Sequence, residues 1–425
     1  MNPKSLLERR LASMGSAYRL FYDEPVHLVR GEGAWLFDAD GRRYLDMYNN
    51  VPHVGHCHPR VVAAICDQAR QLNSHTRYLH DNVVRLAERL TAKMPAALDT
   101  AMFCCTGSEA NELALRIARR VTGATGIVVV DYAYHGNTQA TYEISTDTIP
   151  PEEVPPWVAT VPAPDTYRGP HRGESAGERY AAHVAEAIDK LQRRGVKTAA
   201  FVIDTIVSSS GVVAPPPGYL ARVADIVRRA GGLFVADEVQ PGFGRTGKNF
   251  WGFEAGRFEP DIVTMGKPMG NGHPLSAVVT RREIVDAFAG HGRYFNTFGG
   301  NPVSCAAGLA VLDVIAEEGL QQNALEVGAY LADGLWRLAD SHECIGDVRG
   351  TGLFLAVELV ADRETKTPAT DLADKVVNGL RSRGVLTGSI GPADNILKLR
   401  SPLVLSKDDA DYFLDTLGEV LPLLP

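Results

Sequence analysis

Short apolar runs alternate with helical patterns through the middle of this 425-residue chain. The runs have the length and composition of parallel strands that are buried on both faces: Ile127 to Val130, Ala200 to Ile203, Leu233 to Ala236 and Ile262 to Met265. Helical patterns separate them, as in Glu109 to Arg120 and Tyr219 to Arg229. This alternation predicts an α/β fold in which helices cover both faces of a mainly parallel sheet.

The two ends of the chain have a different texture. Near the start, Gly33 to Phe37 and Arg43 to Met47 flank Asp40-Gly41, which is a hairpin signal. After about Asn301 the chain is rich in helical patterns and ends with alternating residues at Ile396 to Arg400. We therefore predict a large domain over residues 59–301. Residues 1–58 and 302–425 are predicted to form a smaller α+β domain.

Composition excludes several classes of function. The net charge of -8 argues against nucleic acid as a partner, because such binders need a basic surface to displace counterions. Lys4, Arg9 and Arg10 interrupt the first residues before any apolar run fit for a signal peptide or membrane span. Six cysteines lack a C-x-x-C pair, so neither a zinc ribbon nor a disulfide framework is indicated. We expect a cytoplasmic protein without a membrane partner.

Two motifs suggest sites that we do not favour. The histidines of His53-Val54-Gly55-His56-Cys57-His58 could ligate a metal, but a turn before a helix that begins near Pro59 explains them better, so we predict no metal site. Gly242 to Gly247 matches the G-x-G-x-x-G motif of dinucleotide-binding proteins. That motif requires a following helix, whereas aromatic residues and a glycine come next, so we reject a nicotinamide cofactor.

Thr106-Gly107-Ser108-Glu109 follows an apolar run and begins a helical pattern. Thr106 and Glu109 have the spacing of a capping box. Gly107 allows close approach to the main chain and Ser108 adds a hydroxyl, which suits a phosphate monoester at a helix N-terminus. An ordinary capped helix with nothing bound is the alternative.

Two further strand ends carry reactive side chains. Asp237 ends the run Leu233 to Ala236, at the edge of the sheet where α/β proteins bind ligands. Paired with a pyridinium N–H, it would keep such a ring protonated. Lys267 follows Ile262 to Met265 in a glycine-rich loop, where burial would leave a neutral amine able to form an imine with an aldehyde. Taken alone, Asp237 could equally be a solvated strand end, and an isolated lysine is far more often a solvated surface amine.

Together these motifs resemble the class III aminotransferases of pyridoxal 5′-phosphate (PLP) fold type I. The resemblance covers nearly the whole chain and rests on five ordered motifs: Thr106 to Glu112, Tyr134 to Gly136, Asp237 to Gln240 with Gly242 to Gly247, Pro260 to Lys267, and Asn296 to Pro302. It implies a large domain with a seven-stranded sheet, PLP as cofactor and a homodimer with active sites at the subunit interface.

The resemblance also implies the role of each cofactor-binding residue. Lys267 would carry PLP as a Schiff base, Asp237 would bind the ring nitrogen, and Gln240 would lie near the ring hydroxyl. The remaining cofactor-binding residues would be Tyr134 stacked on the ring, His135 beside it, Gly107 and Ser108 at the phosphate, and Thr297 from the neighbouring subunit.

Within the family the chain is most similar to the ethanolamine-phosphate and 5-phosphohydroxy-lysine phospho-lyases. The similarity lies in Asn49 to Pro59, Pro164 to Gly169, Gly270 to Pro274 and Tyr294 to Cys305. It implies a small phosphorylated amine as substrate, from which phosphate is eliminated to leave an aldehyde and ammonia.

The substrate residues follow from departures from the transaminase pattern. Ornithine- and aminobutyrate-type members have a glutamate that pairs with the arginine matching Arg400, and this chain has Ser209 there. Unmasked, Arg400 would be a standing anion site. The other substrate-binding candidates are Lys398, which would share a strand face with Arg400, the small amide Asn50, and Arg19 with its neighbour Tyr18. Asp204 departs from the usual glutamate, which leaves its role open.

Two rival functions remain at this point. An ω-amino acid or amine aminotransferase would use the same lysine, and Arg400 would then bind a carboxylate. A cofactor-binding regulatory protein without turnover is the other rival.

Overall fold

The structure, a computed structural model, describes residues 3–423 and contains sixteen strands within that range. In chain order they are β1 (Leu28–Glu32), β2 (Trp35–Asp38), β3 (Arg43–Asp46), β4 (Thr100–Cys104), β5 (Gly126–Val130), β6 (Val158–Val161), β7 (Thr198–Asp204), β8 (Leu233–Asp237), β9 (Ile262–Met265), β10 (Ser276–Thr280), β11 (Ile345–Thr351), β12 (Phe354–Asp362), β13 (Thr367–Pro368), β14 (Val385–Leu386), β15 (Gly388–Ile390) and β16 (Ile396–Leu399).

Twelve α-helices lie between or beside these strands in the same range. They are α1 (Pro3–Met14), α2 (Pro59–Gln71), α3 (Asp81–Thr91), α4 (Gly107–Thr122), α5 (Gln139–Tyr142), α6 (Ala176–Arg193), α7 (Tyr219–Arg229), α8 (Arg282–Ala289), α9 (Pro302–Glu317), α10 (Leu320–Ser341), α11 (Thr370–Ser382) and α12 (Lys407–Val420). Short 3-10 helices are present at Pro151–Glu153, Gly252–Gly256 and Leu421–Leu423. No helix of residues 3–423 combines the length and the apolar content that crossing a membrane requires.

The largest sheet has seven strands in the order β4-β10-β9-β8-β7-β5-β6. The pairs β9·β8, β8·β7, β7·β5 and β5·β6 are parallel, and β10 runs antiparallel to both β4 and β9. The four apolar runs of the sequence are β5, β7, β8 and β9. The predicted α/β fold with a large, mainly parallel sheet is therefore confirmed.

Both faces of this sheet are buried, which explains why its strands are continuous apolar runs. Successive side chains of a strand point to opposite faces. Along β5, Val128 and Val130 pack in the cluster that includes helices α6 and α7, while Ile127 and Val129 pack in the cluster that includes α4. Helices thus cover the sheet on both sides.

Two smaller sheets complete the fold. The predicted hairpin is present as the antiparallel pair β2·β3, and β3 pairs in parallel with β14, so segments from both chain ends share one sheet. The other sheet has the order β11-β12-β16-β15, with β13 beside β12. The exact domain boundaries, after residues 58 and 301, remain predictions.

The carboxyl ends of the central strands place three ionisable side chains at one edge of the large sheet. Asp204 at the end of β7 is the register partner of Asp237 at the end of β8. Lys267 follows β9, the next strand along. This is the edge where open α/β sheets bind ligands.

Candidate active site

A cavity of about 260 Å³ lies beyond the carboxyl ends of β8 and β9. It brings together five predicted cofactor-binding regions: the N-terminus of α4, the Tyr134–His135 segment, Asp237, Gln240 and Lys267. Its walls are Val51, Cys105, Thr106, Gly107, Ser108, Asn111, Tyr134, His135, Gly136, Asp204, Asp237, Val239, Gln240, Gly266, Lys267, Gly272, His273, Pro274 and Leu275.

Asp237 is buried and is held by three donors. Its Oδ2 accepts a hydrogen bond from Asn111 Nδ2 and lies 2.8 Å from His135 Nδ1, while its Oδ1 accepts from the main-chain N–H of Val239. Asn111 also donates to the carbonyl of His135 and accepts from Thr264 Oγ1. These contacts fix the orientation of the carboxylate at the cavity wall.

Asn111 and Val239 are positions whose roles the sequence did not reveal. Asn111 lies in α4, one turn after Gly107, where a buried amide within an apolar helix face was the available signal. Val239 lies in contact distance of Gly107, since a Cβ built on that glycine would be 3.0 Å from Val239 Cγ1. A side chain at position 107 would therefore crowd Val239.

Lys267 lines the cavity, and its amine has no hydrogen-bond or ion-pair partner among residues 3–423. Burial, together with the nearby positive charge of Arg400, lowers the pKa of Lys267 from 10.5 to about 8, although Asp237 and Asp204 act in the opposite direction. About a tenth of the amine is then neutral near pH 7, far more than for an ordinary lysine, and the neutral form is the nucleophile.

The N-terminus of α4 has the predicted capping box. Thr106 Oγ1 accepts from the N–H of Glu109, whose Oε2 in turn accepts from the N–H groups of Cys105 and Thr106. The first N–H groups of the helix, those of Gly107 and Ser108, remain available to a bound anion. Gly266 comes close to this end of the helix, because a Cβ on it would be 3.3 Å from the nitrogen of Gly107.

This set of donors and acceptors fits pyridoxal phosphate. A buried carboxylate suits a protonated ring nitrogen, an amine with a lowered pKa suits an aldehyde, and a helix N-terminus suits a phosphate. Tyr134, which lines the same cavity, offers an aromatic face. His135 lines the cavity and contacts Asp237, so it would act on the cofactor through that carboxylate.

Arg400 is buried and forms no ion pair with any residue of the described range. Its Nη1 donates to Gln240 Oε1, its Nε has no partner, and its guanidinium carbon lies 4.4 Å from the centre of the Tyr48 ring. Gln240 Nε2 donates to Ser208 Oγ. The predicted arginine is thus held by a neutral amide and has no carboxylate in direct contact, although burial lowers its pKa less than it otherwise would because of the charges of Asp46 and Asp204.

Asn50 and Lys398 are buried, but neither is among the cavity walls. The Nδ2 of Asn50 has no hydrogen-bond partner. Burial and the charge of Arg400 lower the pKa of Lys398, while Asp204 and Asp147 act in the opposite direction. Asp204 lines the cavity and is capped by the N–H groups of Ile206 and Ser208.

Tyr18, Arg19 and Thr297 are exposed and lie outside the cavity of this single chain. Tyr18 and Arg19 precede Phe21, whose ring centre is 4.8 Å from that of Tyr48, the residue that packs on Arg400. Their predicted contact with substrate, and the contact of Thr297 with the phosphate, remain predictions.

The residues of the two motifs that we set aside form hydrogen bonds and ion pairs within the protein, and the two motifs contact each other. His53 Nδ1 accepts from Arg245, His56 pairs with Asp46, and His58 pairs with Glu318. Within residues 3–423 no cluster of His, Cys, Asp and Glu has the arrangement of a metal site. Arg245, from the glycine motif, also donates to the carbonyls of Leu353 and Ser401, so it joins the large sheet's loops to the C-terminal segment.

Comparisons with known proteins agree with this geometry. The class III aminotransferase family model matches residues 21–421. The chain is similar to an alanine–glyoxylate aminotransferase 2-like protein of Drosophila melanogaster, with 46% identity over 419 residues that cover 96% of this chain and 85% of that protein. It is similar to ethanolamine-phosphate phospho-lyase homolog 1 of Caenorhabditis elegans, with 41% identity, covering 99% and 94% of the two chains. It also matches the structure of a phospholyase from Arthrobacter in complex with phosphoethanolamine, with a TM-score of 0.95, 46% identity and coverage of 99% and 100%.

Proposed function

Because the chain belongs to the class III aminotransferase family, we propose that it is a PLP-dependent phospho-lyase acting on O-phosphoethanolamine or a similar phosphorylated amino alcohol. The reaction would release phosphate, ammonia and an aldehyde. The phospho-lyase homolog of C. elegans and the phosphoethanolamine complex of the Arthrobacter enzyme support this proposal.

The cavity residues would divide the work on the cofactor. When bound, PLP withdraws electrons from the substrate carbon next to the amine nitrogen. Asp237 would hold a proton on the ring nitrogen, supported by Asn111 and His135. Lys267 would bind the aldehyde through Nζ and, once released, would carry a proton on that atom. The N–H groups of Gly107 and Ser108 would bind the phosphate.

The observation that carries the proposal is the state of Arg400. A buried guanidinium without a counter-ion is costly, and a bound anion removes that cost. Phosphate suits this position because it has a larger charge than a carboxylate and accepts two parallel hydrogen bonds from a guanidinium. We propose four further candidates for substrate binding. Two are buried: Lys398, two residues before Arg400, and Asn50, two residues after the Tyr48 that packs on Arg400. The other two, Arg19 and Tyr18, lie at the surface.

The test is incubation of the PLP-loaded enzyme with O-phosphoethanolamine alone. We expect equal amounts of phosphate and acetaldehyde without any keto acid. Lys267→Ala should abolish the release. Release by the wild type and its loss in this variant would also exclude a regulatory protein without turnover. Release that depends strictly on an added keto acid would contradict the proposal.

Aminotransferase activity is the second candidate, and a specific similarity favours it. The related Drosophila protein is named for alanine–glyoxylate aminotransferase 2. Arg400 would then bind the carboxylate of an amino acid. Comparison of the rate with O-phosphoethanolamine and the rate with alanine plus glyoxylate, on one preparation, distinguishes the two activities.

We further propose that the enzyme is a homodimer in which Thr297 reaches the cofactor phosphate of the other subunit. Apolar side chains are exposed around Thr297 and on a neighbouring segment: Phe298 is 69% exposed, Tyr78 70% and Leu79 fully. Contiguous exposed apolar surface of this kind is typical of subunit interfaces.

Complementation between variants tests this arrangement. Lys267→Ala and Thr297→Ala subunits, unfolded and refolded together in equal amounts, would form mixed dimers that contain one intact site. We expect about a quarter of wild-type activity, because about half of the dimers are mixed and half of their sites are intact. Activity no greater than that of the separate variants would contradict a contribution from the second subunit.

A cytoplasmic location also stays a proposal, consistent with six cysteines that are all free thiols.

A further inference from the structure

His273 is a cavity residue to which the proposed function assigns no role. It lies in the loop between β9 and β10, and it lines the same cavity as Gly107 and Ser108. Three residues later, Ser276 Oγ donates to the carbonyl of Thr106, the N-cap of α4. The loop that carries His273 is therefore anchored to the helix end that would bind phosphate.

A hydrogen-bond network assigns the proton of the imidazole. Ser304 Oγ accepts from Asn301 Nδ2 and donates its only proton to the carbonyl of Pro274. His273 Nε2 lies 3.0 Å from the same Oγ, so it must be the donor in that contact. In the neutral ring, the free lone pair is then on Nδ1.

Nδ1 has no hydrogen-bond partner in the described part of the chain. It is also not one of the fully buried polar atoms that lack a partner. Burial lowers the pKa of His273, so the ring is neutral in the absence of an anion. The ionisable groups that line the same cavity are Lys267, Cys105, Tyr134, His135, Asp204 and Asp237. Glu109 lies at the start of α4, His53 in the loop before α2 and Cys305 in α9. Glu109 is already engaged by the capping box.

We infer that His273 Nδ1 takes up one proton when a phosphate monoester binds at the N-terminus of α4 and then donates that proton in a hydrogen bond to the phosphate. This inference rests on the proposed PLP site. A phosphate monoester is close to a dianion at neutral pH, and a dianion beside an imidazole favours the protonated ring. The proton comes from solvent, and no covalent bond changes.

The consequence is that affinity for the phosphate group depends on pH. Binding that takes up one proton weakens up to tenfold for each pH unit above the pKa of the ring. His273→Asn replaces the imidazole with an amide that cannot be protonated. We expect it to weaken PLP binding about tenfold at pH 7, the order of one charge-assisted hydrogen bond, and to change it little at pH 9.

The experiment compares equilibrium binding of PLP and of pyridoxal, which lacks the phosphate, to the cofactor-free enzyme from pH 7 to pH 9, where the phosphate of free PLP is close to a dianion throughout. Both ligands react with Lys267, so the titration of that lysine cancels in the ratio of their affinities. In the wild type this ratio should fall as the pH rises, and in His273→Asn it should be flat. Tyr180→Phe, a variant of a buried hydroxyl remote from the cavity, is the control and should follow the wild type.

A ratio that is independent of pH in the wild type, or one that falls equally in His273→Asn, would overturn the inference. The wild-type measurement needs no variant, so it decides the matter even if His273→Asn does not fold. Phosphate release from O-phosphoethanolamine is measured separately. Its failure would count against the proposed function and leave the binding ratio interpretable.

Discussion

Replacing Lys267 by methionine should stabilise the cofactor-free protein at neutral pH. The folded protein lowers the pKa of this lysine from 10.5 to about 8, mainly through burial. Such a decrease corresponds to about 3 kcal/mol of folding free energy, and we expect about 2 kcal/mol because the side chain keeps some contact with solvent. The buried amine that lowers the stability of the fold is thus the group that the proposed reaction requires.

The pH dependence gives the sign of the effect. Below pH 8 the lysine is protonated in both the folded and the unfolded chain, so its full cost is present. Between pH 8 and about 10.5 only the unfolded chain binds the proton, so the stability of the wild type rises with pH. The methionine variant lacks this rise, and its advantage should disappear near pH 10.5.

Urea unfolding of the cofactor-free proteins at pH 7 and pH 10, at one protein concentration, measures the effect. Lys190→Met, at the exposed C-terminal end of α6, is the matched control and should keep the pH dependence of the wild type. If Lys267→Met showed the same change in unfolding free energy between the two pH values as the wild type, the reasoning about the buried amine would be wrong.

Three further changes have expected outcomes. Asp237→Asn should lower the rate of phosphate release at least about 100-fold while PLP still binds, because an amide cannot keep the ring nitrogen protonated; steady-state rates and cofactor content measure this. Arg400→Met should raise KM for O-phosphoethanolamine about 100-fold with the cofactor absorbance unchanged, since charge-assisted hydrogen bonds are lost. Ser209→Glu should weaken substrate binding about tenfold, and Ser209→Gln should not, because only a carboxylate would compete for the charge of Arg400. Arg400 donates to Gln240, and Gln240 donates to Ser208, the neighbour of Ser209 in sequence. The inhibition constant of phosphate is the readout.

The sequence predicted the strands of the large sheet more completely than their arrangement. The runs that became β5, β7, β8 and β9 were visible because buried strands are uniformly apolar. The same uniform composition gives no indication of the direction of each strand or of the strand order in the sheet. The segment Ser276–Thr280 forms β10, which is antiparallel between β4 and β9, and nothing in its composition distinguishes it from the parallel strands.

At the site, local signals and the resemblance identified individual residues, whereas contacts between distant positions were not predicted. Lys267 and Asp237 follow strands directly, so their place at the sheet edge could be predicted. The contact of Asn111 with Asp237 joins positions that are 126 residues apart, and that of Arg400 with Gln240 spans 160 residues. Only the fold brings such pairs together, so the resemblance suggested Gln240 as a cofactor contact without indicating that it also holds the arginine.

That second contact of Gln240 bears directly on which anion the site selects. The amide orients Arg400 through its oxygen and is itself oriented by Ser208, yet it contributes no negative charge. A glutamate in place of the amide would stabilise the buried guanidinium and would have to be displaced by each substrate. The neutral amide leaves the cost of burial in place, and burial lowers the pKa of Arg400 accordingly. A phosphate dianion offsets that cost more fully than a carboxylate, so the unneutralised arginine favours the phosphorylated amine over an amino acid.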